Sequence, residues 1–314
     1  MNTYVNSQLE MMYESYDGIA PQKYAGKLKG KVALITGTSS GIGRSIAKAF
    51  ASAGASVALV ARREPELLSL VDEITAMGVQ GKAVAIVADV LGHNAGPEIV
   101  RRVEEALGPV DILINNAGIT RISPISVEDM ERWWRVYEVN VLAPVSLCNA
   151  VLPSMVERQT GVLISTGSYG QLDSPAMSAY ISSKIALSKF HELLATELEA
   201  ESPNTSTFSV HPGFIWTGIG TRPDEVNNAQ MKHPAMQSLF SMFGSMDPAT
   251  MKMQTPQLCA DTMVALAADP AYKILTGRHI NSTQPLPSIL EEAQKEGKGR
   301  LGSERLHLVN ITSL

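Results

Sequence analysis

Residues 31–61 read KVALITGTSSGIGRSIAKAFASAGASVALVA, and this stretch decides the fold. A short apolar run is followed by a glycine-rich turn, by apolar residues at helical spacing, and by a second apolar run. This order predicts a strand, a helix and a second strand, with the glycine-rich turn opening the helix.

The same alternation continues along the chain. Five further apolar runs are interpreted as strands, at 83–89, 110–118, 161–168, 205–213 and 274–281. Strands that alternate with helices predict a single α/β domain with a doubly wound (Rossmann), mostly parallel, seven-stranded sheet. Ligands of such a sheet bind beyond the carboxyl ends of its strands.

The composition is that of an ordinary globular protein, with 45% hydrophobic and 18% charged residues in 314. The formal net charge is −5 and no basic block is present, so we expect no nucleic-acid partner. The first thirty residues lack the apolar core of a signal peptide, and no later segment reads as a membrane span. Cys148 and Cys259 lie far apart without a ligand pattern, which predicts buried thiols and no metal site. We therefore expect a cytoplasmic protein that does not bind membranes.

The glycine-rich turn TGTSSGIG, residues 36–43, has the context of a phosphate-binding loop. Gly37 permits a tight turn, Gly41 lets the backbone approach a pyrophosphate, and Gly43 allows close helix packing. The N-terminus of the following helix favours an anion. This spacing resembles the glycine motif of the classical short-chain dehydrogenase/reductase family.

Further motifs of that family follow in its fixed order. They are Asp89-Val90 after the third strand, NNAG at 115–118, Asn140 in VNV, a serine that ends the fifth strand, Tyr180 with Lys184 in YISSK, and PGFIWT at 212–217. The resemblance covers roughly residues 28–282. An ordered series of this kind is far more specific than any one of its motifs.

Tyr180 and Lys184 are four residues apart and lie on one face of a predicted helix. Alone, such a pair is more typical of a core tyrosine beside a solvent-exposed lysine. The resemblance implies catalysis, in which Tyr180 protonates a carbonyl oxygen or takes the proton back in the reverse reaction. Lys184 is expected to lower the pKa of Tyr180, with help from the positive charge of oxidised nicotinamide, and to hold the nicotinamide ribose hydroxyls.

Two other catalytic positions follow from the resemblance. Asn140 resembles the fourth catalytic residue, whose helix opens locally to hold a water in the proton relay; the alternative is a helix-capping amide. The family's spacing from Tyr180 to the catalytic serine falls on Gly167, which has no hydroxyl. Counting along the fifth strand places the serine at Ser168 instead, with Ser165 and Thr166 as alternatives.

The end of the second strand favours NADP as the cofactor. Ala61 stands where NAD-preferring relatives carry an acidic residue for the ribose 2′-hydroxyl, and Arg62 and Arg63 follow it. A guanidinium suits a 2′-phosphate, to which the hydroxyls of Thr38 and Ser39 could add contacts. The remaining cofactor positions that the resemblance implies are Ile42, Asp89, Val90, Asn116, Ala117, Gly118, Pro212, Gly213, Ile215 and Thr217.

Three segments lie outside the regular alternation. Residues 1–30 are interpreted as an N-terminal arm laid over the domain or over a neighbour, and residues 283–314 as a C-terminal tail. Between them, residues 31–282 are interpreted as the NADP-binding domain, which includes the third segment. Residues 218–255 are rich in methionine and coincide with the family's substrate lid. Because methionine is flexible apolar filler, such a lid predicts a bulky, largely apolar or aromatic substrate.

The sequence therefore predicts an NADP-dependent oxidoreductase that interconverts a ketone and a secondary alcohol. The arm, lid and tail resemble those of fungal members that act in secondary metabolite biosynthesis. The alternative is a non-redox protein with the same fold, such as a cyclase, an isomerase or a cofactor-binding scaffold.

Assembly as a homodimer or homotetramer is also expected. Apolar residues of the helix at 175–201 spread beyond a single stripe: Ile185, Leu187, Phe190, Leu194 and Leu198. In the family, this helix and the one at 128–157 pack against their symmetry mates.

Overall fold

The computed structural model describes residues 9–92, 94–168, 174–215, 228–244 and 252–295. Seven strands form one wholly parallel sheet in the order β3-β2-β1-β4-β5-β6-β7. The strands are β1 (Val32–Thr36), β2 (Ser56–Ala61), β3 (Ala83–Val87), β4 (Ile112–Asn115), β5 (Gly161–Thr166), β6 (Thr205–His211) and β7 (His279–Asn281). The predicted seven-stranded, doubly wound α/β fold is confirmed.

Helices cover both faces of this sheet. They are α1 (Pro21–Tyr24), α2 (Gly41–Ser52), α3 (Glu64–Ala76), α4 (Ala95–Leu107), α5 (Met130–Tyr137), α6 (Ala143–Glu157), α7 (Ser178–Glu201), α8 (Asn228–Met231), α9 (Pro234–Gly244), α10 (Pro256–Ala268) and α11 (Leu286–Lys295). A π-helical turn, Glu138–Leu142, joins α5 to α6.

Alternating side chains of each strand pack into two separate cores. In β1, Ala33 and Ile35 join the core that contains Phe50 of α2, whereas Leu34 joins the core that contains Leu147 of α6. Every residue of β1 is buried because helices cover both sides. This double burial explains why the strands read as continuous apolar runs in the sequence.

The strand register brings the carboxyl ends of the central strands to one edge. Thr36, the last residue of β1, lies opposite Val60 of β2, and Asn115 of β4 lies opposite Ser165 of β5. The chain reverses its direction of winding between β1 and β4, so a crevice opens where these two strands end.

The described part of the N-terminal arm lies over its own domain. The amide of Met12 donates to the carbonyl of Thr283 at 2.7 Å, and the amide of Leu286 donates to the hydroxyl of Tyr16 at 2.7 Å. Arm residues Ile19, Tyr24 and Leu28 are buried in the core. The expected tail begins with α11, whose Leu286, Ile289 and Ala293 are also buried, while residues 1–8 and 296–314 lie outside the described part.

The helical run from α5 through α6, Met130–Glu157, corrects one expectation. Its 28 residues, with a window of mean hydropathy 1.6, are long and apolar enough to cross a bilayer by length and composition alone. Leu147, Cys148, Val151 and Met155 of this run are buried within the domain. The apolar residues of this run therefore form part of the core that packs against the sheet.

Replacing Phe50 by Ala tests the core between α2 and the sheet. The Phe50 side chain is fully buried, so its truncation should lower the free energy of unfolding by about 3–5 kcal/mol through lost burial and a residual cavity. Urea denaturation followed by circular dichroism measures the change. Leu68→Ala on α3, where the side chain is 50% exposed, is the matched control and should cost less than about 1 kcal/mol. Equal losses in both variants would contradict this assignment.

Candidate active site

The glycine-rich turn forms a tight cradle between β1 and α2. Gly37 has a φ of 71°, and a Cβ there would lie 2.8 Å from the Cα of Ala117. A Cβ on Gly43 would lie 2.2 Å from the carbonyl oxygen of Gly37. Ser40, the N-cap of α2, makes no side-chain capping bond, so the first amides of the helix remain available to an anion. The backbone of this turn fits a pyrophosphate.

The turn is held by the residues that end β4. Asn116 Nδ2 donates to the carbonyls of Thr36 and Gly37, at 3.0 and 3.3 Å. The hydroxyl of Thr36 accepts the amides of Asn116 and Ala117, each at 3.0 Å. Sequence reasoning missed Thr36, whose only signal is its place as the first residue of the glycine motif. These bonds fix the two strand ends that flank the crevice.

Positive charge meets hydroxyl groups where β2 ends. Arg63 donates to the hydroxyl of Ser39 at 3.0 Å, so the turn and the end of β2 are in direct contact. Arg62 lies 3.8 Å from the exposed carboxylate of Asp89. The Thr38 hydroxyl is buried and has no hydrogen-bond partner within the described residues. This group of donors fits the adenosine end of a dinucleotide.

Tyr180 and Ser168 meet at the carboxyl end of β5. The Ser168 hydroxyl lies near enough to the Tyr180 phenol to oppose the rise of its pKa, with Tyr180 on the first turn of α7 and Ser168 two residues beyond β5. The alternatives lie elsewhere: the Ser165 hydroxyl contacts His191 at 2.6 Å, and the Thr166 hydroxyl donates to Asn116 at 3.3 Å. Of the three hydroxyls considered from the sequence, the structure brings Ser168 to Tyr180.

Lys184 lies one helical turn beyond Tyr180 and is buried. Its ammonium donates to the carbonyl of Thr166 at 2.7 Å and lies 6.0 Å from the centroid of the Tyr180 ring. Burial lowers the pKa of Lys184 to about 8. Sequence reasoning did not assign the Thr166 carbonyl, because a backbone group leaves no signal in the residue types.

Burial is the main influence on the pKa of Tyr180 in the chain alone. Burial raises it, and the hydrogen bond from Ser168 opposes that rise. The expectation that Lys184 lowers the pKa of Tyr180 with help from oxidised nicotinamide stays a prediction, because desolvation of the phenolate dominates in the chain alone. Tyr180 is therefore held in its protonated form.

Asn140 lies in the π-helical turn, where the helix opens as the family resemblance implies. Its amide exchanges two hydrogen bonds with the backbone of Ile119, donating to the carbonyl and accepting from the amide at 3.0 Å each. It also donates to the Ser183 hydroxyl at 3.0 Å. Asn140 thus ties the loop after β4 to α7, and Ser183, one turn from Tyr180, is a site residue that the sequence analysis missed.

The remaining predicted positions surround the same crevice. Gly118 lies beside both catalytic candidates, since a Cβ there would be 3.3 Å from Asn140 Oδ1 and 3.5 Å from Lys184 Nζ. Gly213 has a φ of 92° and follows Pro212, and the amide of Phe214 donates to Gln254 Oε1 at 2.7 Å. Ile42, Val90 and Ile215 are partly buried near these turns, whereas Thr217 lies outside the described residues.

The described part of the expected lid contacts the loop after β4. Gln230 of α8 donates to the Ser123 hydroxyl at 2.9 Å, and both side chains are buried. His233 lies 3.2 Å from the hydroxyl of Ser126. Of the six methionines in this segment, Met236 is buried and Met231 is 44% exposed, and Met253 is partly buried; nothing is described for the side chains of the other three. These contacts fasten the described part of the lid to the loop after β4.

Comparison with known proteins agrees with this geometry. The sequence profile of the family described as short chain dehydrogenase matches residues 31–227. A short chain dehydrogenase of the fungus Pseudocercospora fijiensis is 50% identical over 312 residues, which is 98% of both chains. The protein therefore belongs to the short chain dehydrogenase family of oxidoreductases.

Solved structures are similar over most of the chain. A 7α-hydroxysteroid dehydrogenase complexed with NADH and 7-oxo glycochenodeoxycholic acid is 28% identical, with a TM-score of 0.69 and coverage of 83% of this chain and 96% of that one. A metagenomic short-chain oxidoreductase in complex with NADP is 27% identical, with a TM-score of 0.61 and coverage of 77% and 93%. These likenesses support a nicotinamide cofactor for this fold.

Proposed function

We propose that the protein interconverts a ketone and a secondary alcohol with NADP, and that Tyr180 is the proton donor to the carbonyl oxygen. The observation that carries this proposal is the approach of the Tyr180 phenol to the Ser168 hydroxyl at the end of β5, with the buried Lys184 one helical turn away on α7 and bonded to the carbonyl of Thr166. A carbonyl oxygen within reach of both hydroxyls would accept two hydrogen bonds, which polarises it.

The roles of the other residues follow from their contacts. When bound, NADPH supplies the hydride. Tyr180 gives its proton to the carbonyl oxygen, and Ser168 holds that oxygen in place. Lys184, anchored on Thr166, places a positive charge near the phenol and is available to the ribose hydroxyls. Asn140 holds the loop after β4 against α7, so that the crevice keeps its shape.

Tyr180→Phe removes the proposed acid and keeps the ring. Turnover should fall by about 10² to 10⁴-fold, while NADPH binding measured by fluorescence stays within about threefold. The assay follows absorbance of the reduced nicotinamide with a panel of aromatic and polycyclic ketones. Tyr137→Phe, in the aromatic stack of α5, is the control and should behave as the parent protein.

The outcomes separate the two functions considered. Turnover that survives in Tyr180→Phe would overturn the assignment of the acid. A parent protein that binds NADPH and oxidises or reduces nothing in the panel would favour the non-redox alternative.

The preference for NADP over NAD rests on the groups around Ser39. Arg63 already contacts the turn at Ser39, the Thr38 hydroxyl is buried without a described partner, and Ala61 presents no carboxylate to a 2′-hydroxyl. A 2′-phosphate would pair with the guanidinium and accept from these hydroxyls.

Arg63→Ala tests this preference. NADPH should bind about tenfold or more weakly, because a charge-assisted hydrogen bond is worth about 1.5–3 kcal/mol, while NADH binding is nearly unchanged. Isothermal titration with each nucleotide measures the difference. Arg101→Ala on α4, where the guanidinium pairs with Glu98, is the control. Equal weakening for both nucleotides would contradict a 2′-phosphate site.

The substrate is proposed to be bulky and largely apolar or aromatic, in a secondary metabolic pathway. The methionine-rich lid segment supports this class, and the related steroid dehydrogenase was solved with a polycyclic 7-oxo ligand. The fungal relative matches the chain over 98% of its length, so the similarity extends well beyond residues 31–227.

The protein is also proposed to form at least a homodimer through α5, α6 and α7. Most of the apolar residues expected to carry this contact are not exposed: Leu187, Leu194 and Leu198 are buried in the chain, Phe190 packs partly on its core, and Ile185 is half-buried. The large exposed apolar side chains on these helices and on the π-helical turn between them are instead Met130, Trp134, Leu142 and Leu193, at 59%, 58%, 60% and 54% exposure. Large side chains exposed on adjacent elements favour an interface.

Leu193→Glu tests the interface, because it places a charge there without disturbing the core. Sedimentation at micromolar concentration should give a mass near that of one 33.7 kDa chain, against at least twice that mass for the parent. Leu68→Glu, which alters an equally exposed leucine on α3, should leave the mass unchanged. A parent protein that already sediments as a single chain would refute the proposal.

A further inference from the structure

The face of α7 that carries Tyr180 and Lys184 continues toward the sheet with polar residues instead of apolar ones. Ser188, one turn beyond Lys184, has its hydroxyl 2.9 Å from the hydroxyl of Ser209 and 3.3 Å from Nδ1 of His279. Ser209 Oγ lies 3.0 Å from the same nitrogen. A helix that packs on a sheet ordinarily buries apolar side chains there, so this hydroxyl and imidazole cluster calls for another reason.

The cluster lies directly against the residue before Ser168. Gly167 is buried, and its amide donates to the carbonyl of Val210 at 2.7 Å. A Cβ on Gly167 would lie 2.5 Å from Ser209 Oγ and 2.9 Å from Cε1 of His279. No ordinary side chain fits at such distances, so the backbone that leads into Ser168 rests on Ser209 and His279.

The cluster also touches the backbone of α7. The Ser188 hydroxyl donates to the carbonyl of Lys184 at 3.0 Å, and the Lys184 ammonium donates to the carbonyl of Thr166 at 2.7 Å. One set of hydrogen bonds therefore connects the strand end that carries Ser168 with the helix turn that carries Tyr180. Ser209 and His279 are paired neighbours on β6 and β7, which makes this support part of the sheet.

Burial lowers the pKa of His279 to about 4, so the imidazole in the cluster is neutral near pH 7. A neutral ring beside two hydroxyls can satisfy their hydrogen bonds without placing a second charge near Lys184. The cluster therefore supports the site without adding to its electrostatics.

We infer that Ser188, Ser209 and His279 are positioning residues, which set the distance between the Ser168 hydroxyl and the Tyr180 phenol through Gly167 and Lys184. This inference rests on the proposed function for its kinetic readout. It also explains why Gly167 carries no hydroxyl at the position where the family's spacing expects one: a side chain there would collide with Ser209 and His279.

The central experiment compares Gly167→Ala, Ser209→Ala and the double variant in a reduction assay with NADPH and a ketone that the parent turns over. Gly167→Ala should lower kcat by about 10 to 100-fold, since a displacement near 1 Å is enough, while KM and NADPH affinity stay within about threefold. Ser209→Ala alone should lower kcat by less than about fivefold. The double variant should recover part of the lost kcat, because the closer of the two colliding groups, the Ser209 hydroxyl, is gone while His279 remains.

Controls and a second variant keep the experiment decisive. Ser206→Ala removes a buried serine hydroxyl from the same strand away from Gly167 and should leave kcat unchanged. Ser188→Ala removes the hydrogen bond to the Lys184 carbonyl without adding volume. This variant should lower kcat with little change in KM, and it provides the test if Gly167→Ala does not fold. Unchanged kcat in Gly167→Ala and Ser188→Ala, or a double variant as impaired as Gly167→Ala, would overturn the inference.

Crystal structures make the test independent of turnover. The separation of Ser168 Oγ from Tyr180 Oη should lengthen relative to the parent in Gly167→Ala, or in Ser188→Ala where the first variant does not fold, and should shorten again in the double variant. An unchanged separation would refute positioning and leave the proposed reaction standing. A parent protein without redox turnover would refute the proposed reaction, while the structures would still decide the positioning.

Discussion

The buried ammonium of Lys184 is the constraint on which the rest of the site depends. A charge removed from water is costly unless it is hydrogen-bonded, and Lys184 is only 4% exposed. Its hydrogen-bond partner within the described residues is the carbonyl of Thr166, at the last position of β5. Strand β5 therefore has to end where the carbonyl of Thr166 faces α7. Helix α7 has to place Lys184 within hydrogen-bond distance of that carbonyl. Ser168 and Tyr180 are brought together because each lies close in sequence to one member of this pair.

Different sets of hydrogen bonds hold the two ends of the crevice in place. At β1 and β4, Thr36 and Asn116 exchange hydrogen bonds with backbone groups, which leaves the glycine turn open to an anion. At β5 and α7, hydroxyls and carbonyls surround a single cation and a phenol. A dinucleotide that spans the crevice would meet amide donors at one end and proton-transfer groups at the other. The sheet register fixes the distance between them, because every strand end involved belongs to the same parallel ladder.

Local features of the sequence predicted most of the fold, and long-range contacts account for what was missed. The seven strands can be recognised in the sequence because helices bury both of their faces, which makes each strand an uninterrupted apolar run. Ser168 could be chosen over Gly167 by counting along β5, since a strand keeps its register. By contrast, the hydroxyl of Thr36 accepts a hydrogen bond from the amide of Asn116, which is eighty positions away in the sequence. The exposed face of α7 was also misjudged, because the side of a helix that the sheet covers depends on packing that spacing alone does not specify.

The protonation state of Tyr180 is coupled to the direction of the proposed reaction. Burial raises the pKa of the phenol, and the Lys184 ammonium, committed to Thr166, does not reverse that rise in the chain alone. A protonated phenol is the form required to reduce a carbonyl, whereas oxidation of an alcohol needs the phenolate. Oxidised nicotinamide carries a positive charge and would favour that phenolate, so the cofactor's own redox state would select the form of Tyr180 that each direction requires. The neutral hydroxyl and imidazole cluster beneath the site is consistent with this arrangement, because a second fixed charge there would bias the phenol permanently.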